Sequence, residues 1–448
     1  MRAIASWLVF CAAVALTLTS AAAQPAPDPN PAQSRAERIQ TQQPHELKVT
    51  EYSLPPDKLA KATALYETRT VLYLFGMVFG IVVLWVLLRL RVAPAFRDLA
   101  ERASRNTFMQ ALIFVPLLAL LISIISLPID IYEQHISRAY GLSVQGWASW
   151  AGDWCKAEAV SLAILVPVVF GLFRVIRRSP RRWWLYFWLL TLPFLVLLIF
   201  VTPVILDPLF NKFEPLEKTQ PLLVSEIEKV AQRGGLSIPR DRIFEMEASE
   251  KVTTYNAYVT GIGATKRIVV WDNTSRDLTI PETLFVFGHE MGHYVLNHVY
   301  KGLAFFAAMM LAGFWLGRRI VLALLAKWGG AWHIRGVDDL AALPVLMLAL
   351  ALLNLVGEPI GNAFSRHIEH QADIYGLEVT HGLFPNNGEV AASAFQKLGE
   401  KSYDYPTPNP VLVFWSYSHP PISDRIRFAL HYDPWRSPGG PKYVGIKY

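Results

Sequence analysis

Six long apolar runs constrain the fold of this chain more than any other feature. Each run is close to the ~20 residues that a helix needs to cross the hydrocarbon core of a bilayer. Backbone polar groups find no water there, so a helix is the form expected for a single run. The composition agrees, with 53% hydrophobic and 17% charged residues, where soluble domains carry about 25% charge. The sequence predicts a mainly α, polytopic membrane bundle with spans near residues 71–88, 108–128, 157–174, 184–206, 302–322 and 340–357.

The N-terminus has the features of a targeting segment. Arg2 precedes an apolar stretch from Ile4 to Leu18, and small residues follow at positions 20–23. This pattern predicts a signal peptide or signal-anchor over 1–23. We then expect a linker and amphipathic lead-in (24–70), spans 1–4 (71–206), a first polar region (207–300), spans 5–6 (301–357) and a second polar region (358–448).

Arginine clusters predict the topology. They follow the first, third and fifth apolar runs, so all three fall on one side of the membrane, which the positive-inside rule makes cytoplasmic. The net charge of +6 is therefore assigned to loops beside lipid headgroups, and no nucleic-acid partner is expected. With an export signal, the polar regions 207–300 and 358–448 lie on the extracytoplasmic side of what we expect to be a bacterial inner membrane.

The first polar region has mixed α and β character. Residues 217–235 have helical periodicity, while 255–259 and 268–271 are rich in β-branched and aromatic residues, as expected for strands. The Gly261-Ile262-Gly263 segment between them predicts a hairpin. Thr279 and Glu282 have capping-box spacing, which predicts a helix that starts there and runs toward the fifth span.

That helix contains the pentad His289-Glu290-Met291-Gly292-His293. Two histidines four residues apart lie on one helix face, where they can hold one Zn²⁺ while Glu290 activates water. The chain has two cysteines, so a zinc site built from cysteines is excluded. The alternative is a helix face that carries two histidines without binding a metal.

Zinc proteases use a third protein ligand. The longer metzincin pattern fails, because Leu296 and Val299 stand where it needs glycine and histidine. His298 is interpreted as a helix-face residue or as a residue that supports a ligand.

Three later glutamates are candidates for the third ligand. Glu358 ends the sixth span, and Glu378 is expected on a helix surface. Glu369 is followed one turn later by Asp373, which could accept the second N–H of a ligating histidine. The alternative for Glu369 is a solvated, charged helix.

Five motifs occur in order along the chain, at Asp207–Phe213, Asn256–Tyr258, His289–His293, Arg366–Asp373 and Ser418–Pro421 with Arg425. Taken together, they resemble those of the type I CAAX prenyl protease family of integral-membrane zinc endopeptidases. The resemblance implies a helical bundle that encloses a chamber and a small α/β, gluzincin-like catalytic region made by the two polar regions. It further implies one Zn²⁺ held by His289, His293 and Glu369, with Glu290 as catalytic base.

Further roles follow from the same resemblance. His419 and Arg425 are candidates to stabilise the oxyanion, although His419 could instead cap a helix. The strand at Asn256, Ala257 and Tyr258 is expected to offer an edge to an extended peptide substrate, and its alternative is an ordinary hairpin strand.

The predicted function is a zinc-dependent membrane endopeptidase that cleaves membrane-associated or lipidated, CAAX-type proteins. A quality-control protease for damaged membrane proteins would use the same catalytic residues. A non-catalytic scaffold or transporter is a third possibility, but transporters place polar residues within their spans. Here the acidic and histidine residues collect at the ends of the spans, which favours a protease.

Overall fold

The computed structural model describes residues 48–261, 266–436 and 438–445. The predicted signal segment at 1–23 lies outside these residues. Six helices of the described chain are long and apolar enough to cross a membrane, which agrees with the predicted number and places. They span Pro56–Arg89, Thr107–Ala139, Trp147–Arg178, Trp183–Phe210, His298–Trp328 and Leu340–Thr380.

The helices are named here in chain order. The first five are α1 (Pro56–Arg89), α2 (Val92–Ala103), α3 (Thr107–Ala139), α4 (Trp147–Arg178) and α5 (Trp183–Val201). The next five are α6 (Asp207–Phe210), α7 (Leu216–Thr219), α8 (Pro221–Arg233), α9 (Asp272–Asp277) and α10 (Ile280–Val295). The last five are α11 (His298–Trp328), α12 (Leu343–Thr380), α13 (Asn387–Ser402), α14 (Pro410–Ser416) and α15 (Ile422–His431).

Three helix boundaries differ from the sequence expectation. Helix α1 begins at Pro56, so the expected border at 70/71 lies inside one helix. Helix α12 continues past the sixth apolar run to Thr380, so the border at 357/358 is also interior. Hydropathy marks where side chains leave lipid, but it does not mark where a helix ends. Helix α10, which contains the pentad His289–His293, stops at Val295 and does not continue into the fifth span.

A small apolar core lies around Val269 and Trp271, and two larger ones hold the described chain together. One fills the bundle between α1–α4, α11 and α12, where Phe114, Phe173 and Ile176 are fully buried. The other joins α8, α10, α13, α15 and the end of α12 around Phe285, Phe395 and other buried residues. Burial from water of each such side chain in this second core contributes roughly 1.5–3 kcal/mol. The second core fixes the polar end of α12 against α10.

A small sheet lies beside α10. Its strands are β1 (Phe213–Pro215), β2 (Ile243–Met246), β3 (Ala257–Thr260) and β4 (Arg267–Trp271), in the order β1-β2-β4-β3. Strands β3 and β4 pair antiparallel, as the hairpin prediction required, and β2 pairs with β4 in parallel. Residues 262 and 263 of the predicted turn lie outside the described chain. Strand β3 is therefore an edge of this sheet.

The predicted capping box starts helix α10. The Thr279 hydroxyl accepts from the Glu282 N–H at 3.4 Å, and a Glu282 carboxylate oxygen accepts from the Thr279 N–H at 2.8 Å. Glu282 is buried and also accepts from Ser393 Oγ and Lys397 Nζ, each at 2.6 Å. The start of α10 is thus bound to α13, which fixes the helix that carries the pentad.

Candidate metal centre

Helices α10 and α12 cross closely because glycines line their contact. A β-carbon on Gly376 would lie 2.9 Å from the His289 nitrogen, and one on Gly292 would lie 3.2 Å from the Ala372 α-carbon. A β-carbon on Gly288 would lie 2.9 Å from a Val379 methyl group. This close approach brings the polar part of α12 against the two histidines of α10.

The crossing gathers three potential ligand atoms. His289 Nε2 lies 3.2 Å from His293 Nε2 and 3.2 Å from Glu369 Oε2, and His293 Nε2 lies 3.4 Å from Glu369 Oε1. These residues form the candidate metal cluster of the described chain. Glu358 and Glu378, the other two candidates from sequence, are not part of it.

The cluster fits a bound Zn²⁺. Glu369 Oε2 is buried and has no hydrogen-bond partner among the described residues. Burial alone would lower the pKa of His289, but the hydrogen bond to Asp373 and the negative charges of Asp373 and Glu369 raise it to about 10. The site therefore stabilises positive charge. Two imidazoles and one carboxylate are the protein donor set of catalytic zinc, which takes water or substrate as its fourth ligand.

Glu290 lies at the accessible side of the cluster. Its Oε1 is 4.0 Å from His289 Nε2, and 23% of its side chain is accessible. Burial raises the pKa of the Glu290 carboxyl above its usual value. A carboxylate with a raised pKa beside a metal centre is suited to accept and return a proton.

Asp373 and Arg425 support His289. Asp373 Oδ1 lies 2.8 Å from His289 Nδ1, so the histidine that Asp373 was predicted to hold is His289. Arg425 donates to both Asp373 oxygens, from Nε at 3.0 Å and Nη2 at 2.6 Å, and lies over the Phe395 ring. These contacts favour a positioning role for Arg425 over the oxyanion contact that the resemblance implied.

His419 faces the cluster from the chain segment before α15. Its Nε2 lies 3.4 Å from Glu369 Oε2, and 54% of its side chain is accessible. Burial nevertheless lowers the pKa of His419. Among the described contacts His419 caps no helix, since α15 starts at Ile422 and has Pro421 as its N-cap residue, without a side-chain hydrogen bond.

Strand β3 presents a free backbone edge. Asn256 is already engaged, because its carbonyl accepts from the Trp271 N–H and its own N–H donates to Thr274 Oγ1. Antiparallel pairing alternates inward and outward groups, so the outward backbone groups belong to Ala257 and Val259. The ladder register shows that Val259 has outward backbone groups, which the motif Asn256–Tyr258 does not reveal.

The other two glutamate candidates have structural partners. Glu358 accepts a hydrogen bond from the Tyr73 hydroxyl at 2.9 Å. Glu378 was expected on a helix surface, and this prediction was wrong, because the residue is fully buried. Its carboxylate accepts from the Tyr432 hydroxyl and from backbone N–H groups of the C-terminal segment, at Lys442, Tyr443 and Val444. Glu378 therefore anchors the C-terminal segment to α12.

Comparison with known proteins finds similar proteins along most of the chain. Residues 35–212 match the family model of the CAAX prenyl protease N-terminal region with five membrane helices, and residues 217–433 match peptidase family M48. An uncharacterized metalloprotease of Bacillus subtilis is 38% identical over 84% of this chain and 86% of its own length. The human CAAX prenyl protease 1 homolog is 25% identical over 84% of each chain.

A solved structure shares the fold. The crystal structure of Ste24p from S. mikatae superposes with a TM-score of 0.73 and 22% sequence identity, covering 89% of this chain and 94% of that one. The glycine-lined crossing, the candidate ligand cluster and the edge strand therefore occur in a chain that matches, along most of its length, relatives named as a metalloprotease and as CAAX prenyl proteases. On this evidence the chain belongs to peptidase family M48, as a multi-pass membrane metalloendopeptidase with an N-terminal region of the CAAX prenyl protease type.

Proposed function

We propose that the enzyme is zinc-dependent and cleaves membrane-associated or lipidated, CAAX-type protein substrates. His289, His293 and Glu369 hold one Zn²⁺, and Glu290 is the general base. The observation that carries the proposal is the ligand cluster with Glu290 Oε1 4.0 Å from His289 Nε2. Relatives named CAAX prenyl protease 1, such as the one from Saccharomyces cerevisiae with 27% identity over 73% of each chain, support the substrate class.

The mechanism assigns each proton to a named group. A bound Zn²⁺ supplies Lewis acidity that polarises the scissile carbonyl and acidifies water. Glu290 removes the proton of the attacking water and then delivers it to the leaving amine. His419, on the accessible side of Glu369, donates to the developing oxyanion. Asp373 and Arg425 keep His289 in the orientation that leaves Nε2 free.

The substrate peptide adds to β3 as a further strand. The outward backbone groups of Ala257 and Val259 pair with the peptide main chain, so this recognition does not depend on the peptide side chains. Tyr258 packs on the face of the sheet that is turned away from α10, in the same apolar cluster as Phe213 and Phe244. The strand would therefore hold an extended peptide next to α10.

The catalytic region made by 207–300 and 358–448 lies on the extracytoplasmic side in this proposal. The arginine clusters after the first, third and fifth spans support this orientation. The enzyme would then be a bacterial inner-membrane protein that acts on exported or membrane-anchored chains.

The test compares wild type with Glu290→Gln in detergent. Both proteins should contain about one zinc per chain. Cleavage of a lipidated reporter peptide should fall by roughly 10²–10⁴-fold in Glu290→Gln, the usual contribution of a general base. Glu226→Gln, on the surface of α8, is the matched control and should cleave like wild type.

Undiminished cleavage by Glu290→Gln would overturn the mechanism. The same reporter without its lipid separates the substrate classes. Equal cleavage of lipidated and unlipidated peptides would contradict the CAAX-type assignment and favour a quality-control protease.

A further inference from the structure

His293 has a different kind of partner from His289. Whereas Asp373 holds Nδ1 of His289, Nδ1 of His293 lies 3.1 Å from Nδ1 of His298. His298 is 3% exposed, and the two rings meet edge to face with centroids 5.1 Å apart. A buried imidazole is therefore in contact with the nitrogen of His293 that faces away from the ligand cluster.

A break between two helices makes this contact possible. On a straight helix, residues five apart lie about 140° apart around the axis and their side chains do not meet. Here α10 ends at Val295, Asn297 adopts a left-handed conformation with φ of 59°, and α11 begins at His298. The change of direction returns His298 toward His293. The conformation suits asparagine, which tolerates positive φ better than most residues.

Further hydrogen bonds extend from His298 to α12. His298 Nε2 lies 3.0 Å from Gln371 Oε1, and Gln371 Nε2 lies 2.9 Å from His367 Nε2. Gln371 stands between Glu369 and Asp373 on the same helix. The chain of contacts thus starts at one candidate ligand and ends at His367, which is exposed.

The direction of each hydrogen bond follows from the cluster. His293 Nε2 faces His289 and Glu369, so a metal bound there leaves the proton of His293 on Nδ1. Nδ1 then donates to His298 Nδ1, His298 Nε2–H donates to Gln371 Oε1, and the Gln371 amide donates to His367 Nε2. In this arrangement each of the three hydrogen bonds has one donor and one acceptor. The opposite direction would place a proton on His293 Nε2, where it would block metal binding.

We propose that His298 is a positioning residue for His293, and that Gln371 fixes the tautomer in which His298 accepts. This neutral chain is the counterpart, at His293, of the charged Asp373–Arg425 pair at His289. The inference rests on the proposed function, since it requires a metal at His289, His293 and Glu369. Partners of this kind orient ligands, and their loss weakens metal binding by about 10–100-fold.

The test uses His298→Phe, which keeps the ring shape and removes both nitrogens. The zinc dissociation constant, measured by competition with a chelator, should rise about 10–100-fold. His298→Asn keeps an acceptor near the position of Nδ1 and should recover most of the affinity. The control, His431→Phe at the exposed end of α15, should bind zinc like wild type. Thermal unfolding of the metal-free proteins should be the same for all variants.

Two results would overturn the inference alone. One is a wild-type zinc affinity in His298→Phe, and the other is an equal loss in His298→Asn and His298→Phe, which would assign His298 to packing. If His298→Phe does not fold, Gln371→Leu replaces it and should weaken zinc binding at the low end of the same range. A wild-type affinity in Gln371→Leu would then also overturn it. Wild-type protein without bound zinc would overturn the proposed function itself.

Discussion

At the scale of single residues, the Asp373 carboxylate joins a candidate metal ligand to a buried cation. Asp373 is 1% exposed and contacts His289 Nδ1 while it accepts two hydrogen bonds from Arg425. A buried ion pair contributes little net stability, but removal of one partner leaves an uncompensated charge. Its value at this site is therefore the orientation of His289.

Asp373→Asn should weaken zinc binding by about 10–100-fold, because the side chain keeps its size but loses the charge that His289 and Arg425 both require. Chelator competition measures the change. Asp424→Asn is the matched control on α15, since Asp424 is 53% exposed and pairs with Arg427. Equal zinc affinities in the two variants would show that Asp373 does not support the site.

At the scale of elements, the crossing of α10 and α12 decides whether a site exists. The two helices carry His289, His293, Glu369 and Asp373 between them, and glycines allow their close contact. Because α12 is also the sixth candidate span, its membrane part and its ligands form one continuous helix. A change in the crossing would thus move Glu369 and Asp373 together.

Gly376→Ala should separate the helices, since the added methyl group would lie 2.9 Å from the His289 backbone nitrogen. We expect a loss of about 1–3 kcal/mol in unfolding free energy, as for other overpacked contacts, together with weaker zinc binding. Thermal unfolding and chelator competition measure both effects. In Gly302→Ala the new β-carbon has no atom within 4 Å, so this control should be neutral or more stable by up to about 1 kcal/mol. Indistinguishable variants would refute the role of the crossing.

At the scale of the whole molecule, topology decides which proteins can reach the site. Helix α4 ends in arginines on the predicted cytoplasmic side, so its start lies on the other side. Cys155 is near that start and is exposed. It is the free cysteine of the described chain, which makes it a natural reporter of sidedness.

Cys155 should react with a membrane-impermeant maleimide added to spheroplasts, in a protein with Cys11 replaced by alanine. The matched variant, with Cys155→Ser and Arg181→Cys, should react only after the membrane is permeabilised. Mass spectrometry of the labelled protein reads out both. The reverse pattern would place the catalytic region in the cytoplasm and contradict the proposed location.

The sequence alone was enough to predict the features that depend on a short stretch of neighbouring residues. Six apolar runs of bilayer length gave the number and place of the candidate spans, because the hydrocarbon thickness sets that length. Thr279 and Glu282 marked the start of α10 through local hydrogen bonds. The spacing of His289 and His293 put both on one helix face, and Asp373 was recognised from its place one turn after Glu369.

Which side chains contact each other became known only from the way the helices and strands pack. That Asp373 holds His289, that His298 contacts His293 across a helix break, and that Val259 offers outward backbone groups all depend on packing or register. Glu378 is the clearest example. A carboxylate in a helical sequence is expected at the surface, but here backbone N–H groups of Lys442–Val444 bind it in the interior. Helical periodicity predicts which side chains share one face of a helix. It does not predict what packs against that face, because helices far apart in the chain supply those contacts.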